Sequence, residues 1–225
     1  MWRADNRSRK THIHLARILC ALLLLGSTGI SSAATNKESP TVTAPLQQAA
    51  SIRNPNWAVL MDKHLNLYRV SPTFYRSAQF DKAQVDELKK LGILTSIDLR
   101  EFHSDSGVLT NTAIHEVRIP TNTWYISDKT VISALVAIRR AEATGPVVLH
   151  CQHGADRTGL VTAMYRIVYQ GWTRDAALDE LRNGGYDYHP IWKNISRYVK
   201  NANIEMIKDT VDQQLAKQAT ATPAA

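Results

Sequence analysis

The 225-residue chain is 44% hydrophobic and carries a formal charge of +7, a composition that suits one core of ordinary size and a length too short for two comfortable domains. The charge is localised: Arg3, Arg7, Arg9, Lys10 and Arg17 crowd the first seventeen residues against Asp5 alone. Without residues 1–34 the balance is 22 basic against 19 acidic residues, which excludes a strongly basic surface and gives no reason to expect a nucleic-acid partner.

The N-terminus has the three parts of a secretory signal: a basic stretch to Arg17, an apolar run from Ile18 to Leu25, and small residues ending Ser32-Ala33-Ala34. The competing reading is an uncleaved anchor. A spanning helix needs about 20 mostly apolar residues, whereas the run to Ile30 is interrupted by Gly26, Ser27, Thr28 and Gly29. Residues 1–34 are therefore expected to be a signal peptide removed after Ala34, leaving an exported, periplasmic or secreted monomer with no stable membrane span. Cys20 leaves with that signal, so Cys151 remains as a single thiol without an internal disulfide partner. In an oxidising compartment such a cysteine is either buried and inert or retained for its reactivity.

Residues 35–56 are rich in Ser, Thr, Ala, Gln, Asn and Pro, too poor in large apolar side chains to offset the entropy of ordering, and read as a flexible linker. Leu65 to Val70 alternates apolar and polar residues as a half-buried strand does, and Phe74 to Ala78 can pair with it. Asp81 offers a helix N-cap, Val85, Leu88 and Leu91 follow at helical spacing, and Gly92 stops that helix. Ile93 to Leu99 is apolar enough for a buried strand, and Ile114 to Ile119 reads as another, ended by Pro120. Val131 to Ala143 is an amphipathic helix broken by Gly145-Pro146. Val147-Val148-Leu149 is the most strand-like run, and helical character resumes from Thr158 to Tyr169, from Asp175 to Leu181 and from Ile191 to Ile207. Strands alternating with helices predict an α/β domain over residues 57–211 with a mainly parallel central sheet flanked by helices. Residues 212–225 read as a disordered tail.

His150-Cys151-Gln152-His153-Gly154-Ala155-Asp156-Arg157-Thr158-Gly159 falls between the strongest strand and a helix. There, successive backbone N–H groups can converge on an anion, and the helix start is itself electropositive. Gln152, His153, Gly154, Ala155, Asp156 and Arg157 would form the phosphate-binding turn, Gly154 permitting the backbone angles that such a nest needs. Arg157 offers two parallel donors to two phosphate oxygens. A field that holds phosphate also favours a thiolate, and a thiolate beneath a phosphoryl group can attack phosphorus in line. Thr158 is placed to hydrogen-bond the sulfur as it departs.

Cys-x5-Arg-Thr-Gly after a short apolar strand resembles the signature of protein tyrosine and dual-specificity phosphatases. Leu67-Tyr68-Arg69, Phe74-Tyr75-Arg76-Ser77-Ala78-Gln79 and Ser96-Ile97-Asp98-Leu99-Arg100 resemble the upstream strands of small bacterial and of plant or fungal atypical dual-specificity phosphatases, so the likeness covers roughly residues 65–200. The resemblance implies the dual-specificity-phosphatase-like fold, a two-step mechanism through a phosphocysteine on Cys151, and no metal or other cofactor. For the general acid it leaves two residues open. Asp128, in a loop before the cysteine, matches the usual placement but could equally cap the following helix. Asp156, within the loop, matches the Asp-Arg-Thr endings of myotubularin-type and some bacterial lipid-active phosphatases, and is preferred. His150 is expected to order the loop, and Asp98 and Arg100 to brace the sheet. His153 could place charge near the substrate. His64, His103, His115 and His189 show no ligand spacing.

The expected substrates are phosphotyrosine-type phosphoproteins, with phosphoinositides or inositol phosphates as the alternative. A rhodanese-like sulfurtransferase also uses a loop cysteine but lacks Arg-Thr-Gly. A phosphate-binding module without turnover would not need nucleophile, arginine and threonine together.

Overall fold

The computed structural model describes residues 53–221, so the expected signal, the linker up to residue 52 and the last four residues lie outside the described residues. Six strands form one sheet in the order β1-β2-β3-β6-β4-β5. β1 (Val59–Asp62), β2 (Leu67–Arg69) and β3 (Phe74–Ser77) pair antiparallel, while β3, β6 (Val147–His150), β4 (Thr95–Asp98) and β5 (His115–Arg118) pair parallel. Every residue of β3, β6 and β4 is buried, as parallel strands covered on both faces must be.

The two faces follow the period of two. Val147 and Leu149 of β6 point into a cluster with α2 (Asp128–Thr144), α3 (Asp156–Gln170), α4 (Arg174–Asn183), α5 (Lys193–Asn201) and α6 (Ile204–Ala221). Val148 joins Tyr75, Phe80 and Ile93 in a second cluster with Val85 and Leu88 of the short helix α1 (Val85–Lys90). The predicted α/β class and mainly parallel sheet are the observed ones. No helix among the described residues is long and apolar enough to cross a membrane.

Three expectations need correction. The linker does not extend to residue 56 as a free segment. Arg53 donates to the carbonyl of Gly184 at 3.1 Å and to the Tyr186 hydroxyl at 3.2 Å, and its guanidinium lies over the rings of Trp57, Tyr68 and Tyr186, so cation–π attraction ties this stretch down. Residues 212–221 are not a tail but the second half of α6. Ile207 and Val211 are fully buried at a spacing of four and Leu215 packs beside them, while the Gln and Ala that made the segment look featureless are good helix formers. The single helix expected over 191–207 is two helices, because the chain leaves α5 at Ala202 and Asn203 caps α6 by accepting from the Met206 N–H at 3.0 Å.

Candidate active site

β6 ends at His150 between the carboxyl ends of its parallel neighbours, with Ser77 of β3 and Asp98 of β4 in register on either side. Cys151 follows immediately and is 3% exposed, and α3 begins five residues later at Asp156. The crevice outside the carboxyl ends of parallel strands is where open α/β sheets place their sites.

The backbone of residues 152–155 is turned inside out relative to a strand. The carbonyls of Gln152, His153 and Gly154 each accept a hydrogen bond from the surrounding protein: from the Gln79 N–H at 3.2 Å, from Asn66 Nδ2 at 2.9 Å and from Arg76 Nη2 at 2.5 Å. None of the four N–H groups from Gln152 to Ala155 donates to another described residue, and the first helical bond runs from the Gly159 N–H to the Ala155 carbonyl. Gln152 and His153 are exposed, but Gly154 and Ala155 are buried, and buried backbone donors seldom go unpaired, so these free N–H groups at a helix start suit an anion. Gly154 makes the turn possible: its φ is +69°, and a Cβ there would lie 2.5 Å from the Ser77 carbonyl oxygen and 2.6 Å from the Ala78 nitrogen. Any side chain at this position would push the loop off β3.

Two arginines belong to the loop's surroundings. Arg157 is half-buried and donates from Nη1 to the carbonyls of Leu99 at 3.3 Å and Thr121 at 3.5 Å, leaving Nε and Nη2 without a partner among the described residues. Arg76 is wholly buried and stacks on Tyr186 with its Cζ 3.7 Å from the ring centroid. Burial depresses the pKa of Arg76, and Tyr186, Glu180 and Cys151 work in the opposite direction. Arg76 Nε, Ser77 Oγ and Thr158 Oγ1 are buried polar atoms without a partner among the described residues. Thr158 thus keeps a free hydroxyl at the base of the helix that carries the loop.

Beneath the loop lies a buried network. His150 places Nε2 2.7 Å from Asp105 Oδ2 and Nδ1 3.3 Å from the Cys151 carbonyl. Ser96 donates to the same Asp105 oxygen at 2.8 Å, and Arg100 grips Asp98 through Nε and Nη2 while donating to Asp105 at 2.6 Å. Burial opposes the charge on Asp105, yet its hydrogen bonds with His150 and Ser96 and the nearby guanidinium of Arg100 outweigh it and hold its pKa below the ordinary carboxylate value. Asp98, Asp105 and His150 converge, but Arg100 already compensates both carboxylates. The bracing expected of His150, Asp98 and Arg100 is the arrangement found; Asp105, which joins His150 to Arg100, carried no sequence signal beyond its type.

The two acid candidates are placed apart. Asp156 opens α3, and its two oxygens meet the N–H and the ring Nδ1 of His189 at 2.9 and 2.8 Å. Asp128 is not the cap of α2, a role that Ser127 fills by accepting from the Thr130 N–H at 3.2 Å. Asp128 instead accepts from the Tyr198 hydroxyl at 2.7 Å and lines a cavity with Trp124, Tyr125 and Tyr198 that contains no residue of the 151–157 loop. His189 and His153 bring their rings within 6.1 Å, a meeting that the 35 residues between them in the sequence concealed. Several large apolar side chains are exposed: Phe102, Trp124, Tyr125 and Ile191 are 73–89% exposed. Trp124 packs edge-on against Trp192 at 4.7 Å, and Asn194 fastens its loop by donating to the Thr123 carbonyl at 2.7 Å.

Residues 65–221 match the family profile described as PTP-SAK, Swiss Army Knife protein, DSP-PTPase phosphatase domain. The dual specificity protein phosphatase TpbA of Pseudomonas aeruginosa is 38% identical over 161 residues, 72% of this chain and 73% of that protein. The crystal structure of P. aeruginosa TpbA superposes with a TM-score of 0.67 over 71% of this chain and 99% of that one. A structure of a TpbA variant in complex with phosphotyrosine gives the same TM-score at 37% identity, covering 71% of this chain and 98% of that one. The catalytic core of the PP-IP phosphatase SIW14 from Saccharomyces cerevisiae, 19% identical with a TM-score of 0.57 over 70% of this chain and 96% of that one, shares the fold.

Proposed function

The chain belongs to the DSP-PTPase family of phosphatases, and on that premise we propose that it hydrolyses phosphotyrosyl esters in proteins through a phosphocysteine formed on Cys151. Support comes from the loop's own backbone, whose carbonyls are tied to the protein while its N–H groups are left free.

In the first step the Cys151 thiolate attacks phosphorus, a P–S bond forms and the P–O bond to the tyrosyl oxygen breaks. The N–H groups of Gln152, His153, Gly154, Ala155, Asp156 and Arg157 hold the non-bridging oxygens. The free Nε and Nη2 of Arg157 meet the charge that shifts onto them, a contribution worth about 10²–10³ in rate for one well-placed donor. The leaving oxygen takes the proton held between Asp156 Oδ2 and His189 Nδ1, which are 2.8 Å apart. In the second step the same pair accepts a proton from water as the water oxygen attacks phosphorus. Inorganic phosphate leaves, and the unpartnered hydroxyl of Thr158 donates to the sulfur as its bond to phosphorus breaks.

Phosphotyrosine is favoured because a variant of TpbA has been crystallised with it. No lysine lies between residues 151 and 157 to grip an inositol polyphosphate. Asp156 is assigned the acid because Asp128 is engaged by Tyr198 in a separate cavity. With a poor leaving group, Asp156→Asn is expected to lose about 10²–10⁴ in kcat and with an activated aryl ester far less, while Asp128→Asn loses little with either. The reverse pattern would move the acid to Asp128. Parallel assays on inositol phosphates should show no comparable turnover.

Export is part of the proposal: the basic stretch, apolar run and small residues of 1–34 are those of a cleaved signal. Fractionation and N-terminal sequencing of the protein expressed at full length should find a periplasmic or secreted form beginning near Thr35. A cytoplasmic form retaining Met1 would refute this.

A further inference from the structure

Four cations converge in one cavity outside the phosphate loop. Arg182 comes from the last turn of α4, while Lys193, Arg197 and Lys200 recur on α5 at spacings of four and three, which sets them on one face of that helix. The cavity between them measures about 630 Å³ and is closed on one side by Tyr188 and Pro190. That volume is within the range of about 300–1,000 Å³ typical of ligand sites. No acidic residue lines it. Among the described residues none of the four cations forms an ion pair, although Arg100, Arg139, Arg166, Lys89, Lys90 and Lys208 all do. What sets these four apart is their convergence: like charges gathered around one hollow whose lining holds no acid repel one another, and an anionic ligand relieves that repulsion.

The cavity also shares a wall with the active site. Tyr188 and Pro190 line the hollow, and His189 between them holds Asp156 at the start of α3 through its N–H and its ring. The Tyr188 hydroxyl is fixed by donating to the Trp192 carbonyl at 2.8 Å, so this segment is anchored on both sides. An extended chain advances about 3.3–3.6 Å per residue, so residues only a few places from a phosphotyrosine seated in the loop reach the hollow. Acidic side chains are the part of a phosphoprotein that four unpaired bases would select.

We infer that this cavity is a second anion subsite, which takes Asp and Glu side chains flanking the phosphorylated residue and so selects acidic phosphoprotein segments. The inference rests on the phosphotyrosine reading, and a small aryl phosphate separates the two. The test compares two phosphotyrosine peptides, one with acidic and one with serine flanks, on the wild type and on the double variant Arg197→Ala/Lys200→Ala. The wild type should show a KM about 3- to 30-fold lower for the acidic peptide, the range expected of a few part-exposed ion pairs. The preference should shrink as salt is raised and vanish in the double variant, with kcat on p-nitrophenyl phosphate unchanged. Equal KM values in the wild type, or a preference that survives in the double variant, would overturn the subsite. So would absence of peptide preference combined with inhibition by an inositol polyphosphate that the double variant abolishes, since the occupant would then be a small polyanion. Failure of the wild type to turn over p-nitrophenyl phosphate would instead strike at the phosphatase reading itself.

Discussion

His150 ends β6 with no exposure to water, yet its two ring nitrogens reach Asp105 and the carbonyl of the cysteine beside it. The loop therefore stands on a buried polar network, and such networks stabilise only when every member is satisfied. Asp105 is the carboxylate of that network whose pKa is displaced. Its folded pKa lies below the ordinary value, so at acid pH the unfolded chain binds more protons and stability rises with pH. The contribution is complete above the unfolded carboxylate value of about 3.9 and is lost as pH falls through the lower folded value. Asp105→Asn should accordingly destabilise the protein more at neutral pH than at a pH below the folded value, as chemical denaturation at the two pH values would measure. A pH-independent difference would mean that Asp105 is not ionised in the fold. Neither the Asp105–His150 nor the Arg76–Gly154 contact was legible in the sequence, because the partners lie tens of residues apart and a buried Asp or Arg has no local pattern. The nucleophile loop was legible, since strand, glycine, arginine and helix start follow one another in the chain.

At the scale of elements, legibility tracked burial. β3, β4, β6 and α2 bury whole faces, and their apolar periods stand out. β1 was missed because Val59, Leu60 and Met61 are 40–48% exposed: pairing with β2 along an edge defines that strand, and its side chains carry no alternation. The second half of α6 was missed because only Val211 and Leu215 mark its inner face among polar and small residues. That helix has a measurable consequence. Ile207→Ala should cost about 2–5 kcal/mol, as other buried aliphatic truncations do, and a chain ended at residue 211 should melt below one ended at residue 221. Equal melting temperatures for the two lengths would return residues 212–221 to the status of a tail.

Across the whole molecule, the formal charge of +7 resolves into two separate features. One is the basic segment before residue 18, which we propose serves export; the other is the four-cation cavity beside the phosphate loop. Between them the domain is nearly balanced, so its preference for phosphate comes from oriented N–H groups and Arg157 rather than from net charge. That cradle makes one demand of the chemistry, namely that phosphate pass through a covalent bond to Cys151. The most direct measurement is rapid acid quenching of the Asp156→Asn variant with an activated, phosphorus-labelled aryl ester, followed by mapping of the label. The label should appear on the peptide containing Cys151, and the Cys151→Ser variant should neither acquire it nor turn over substrate. Turnover that persists in Cys151→Ser, with no labelled peptide from either variant, would contradict the phosphocysteine route.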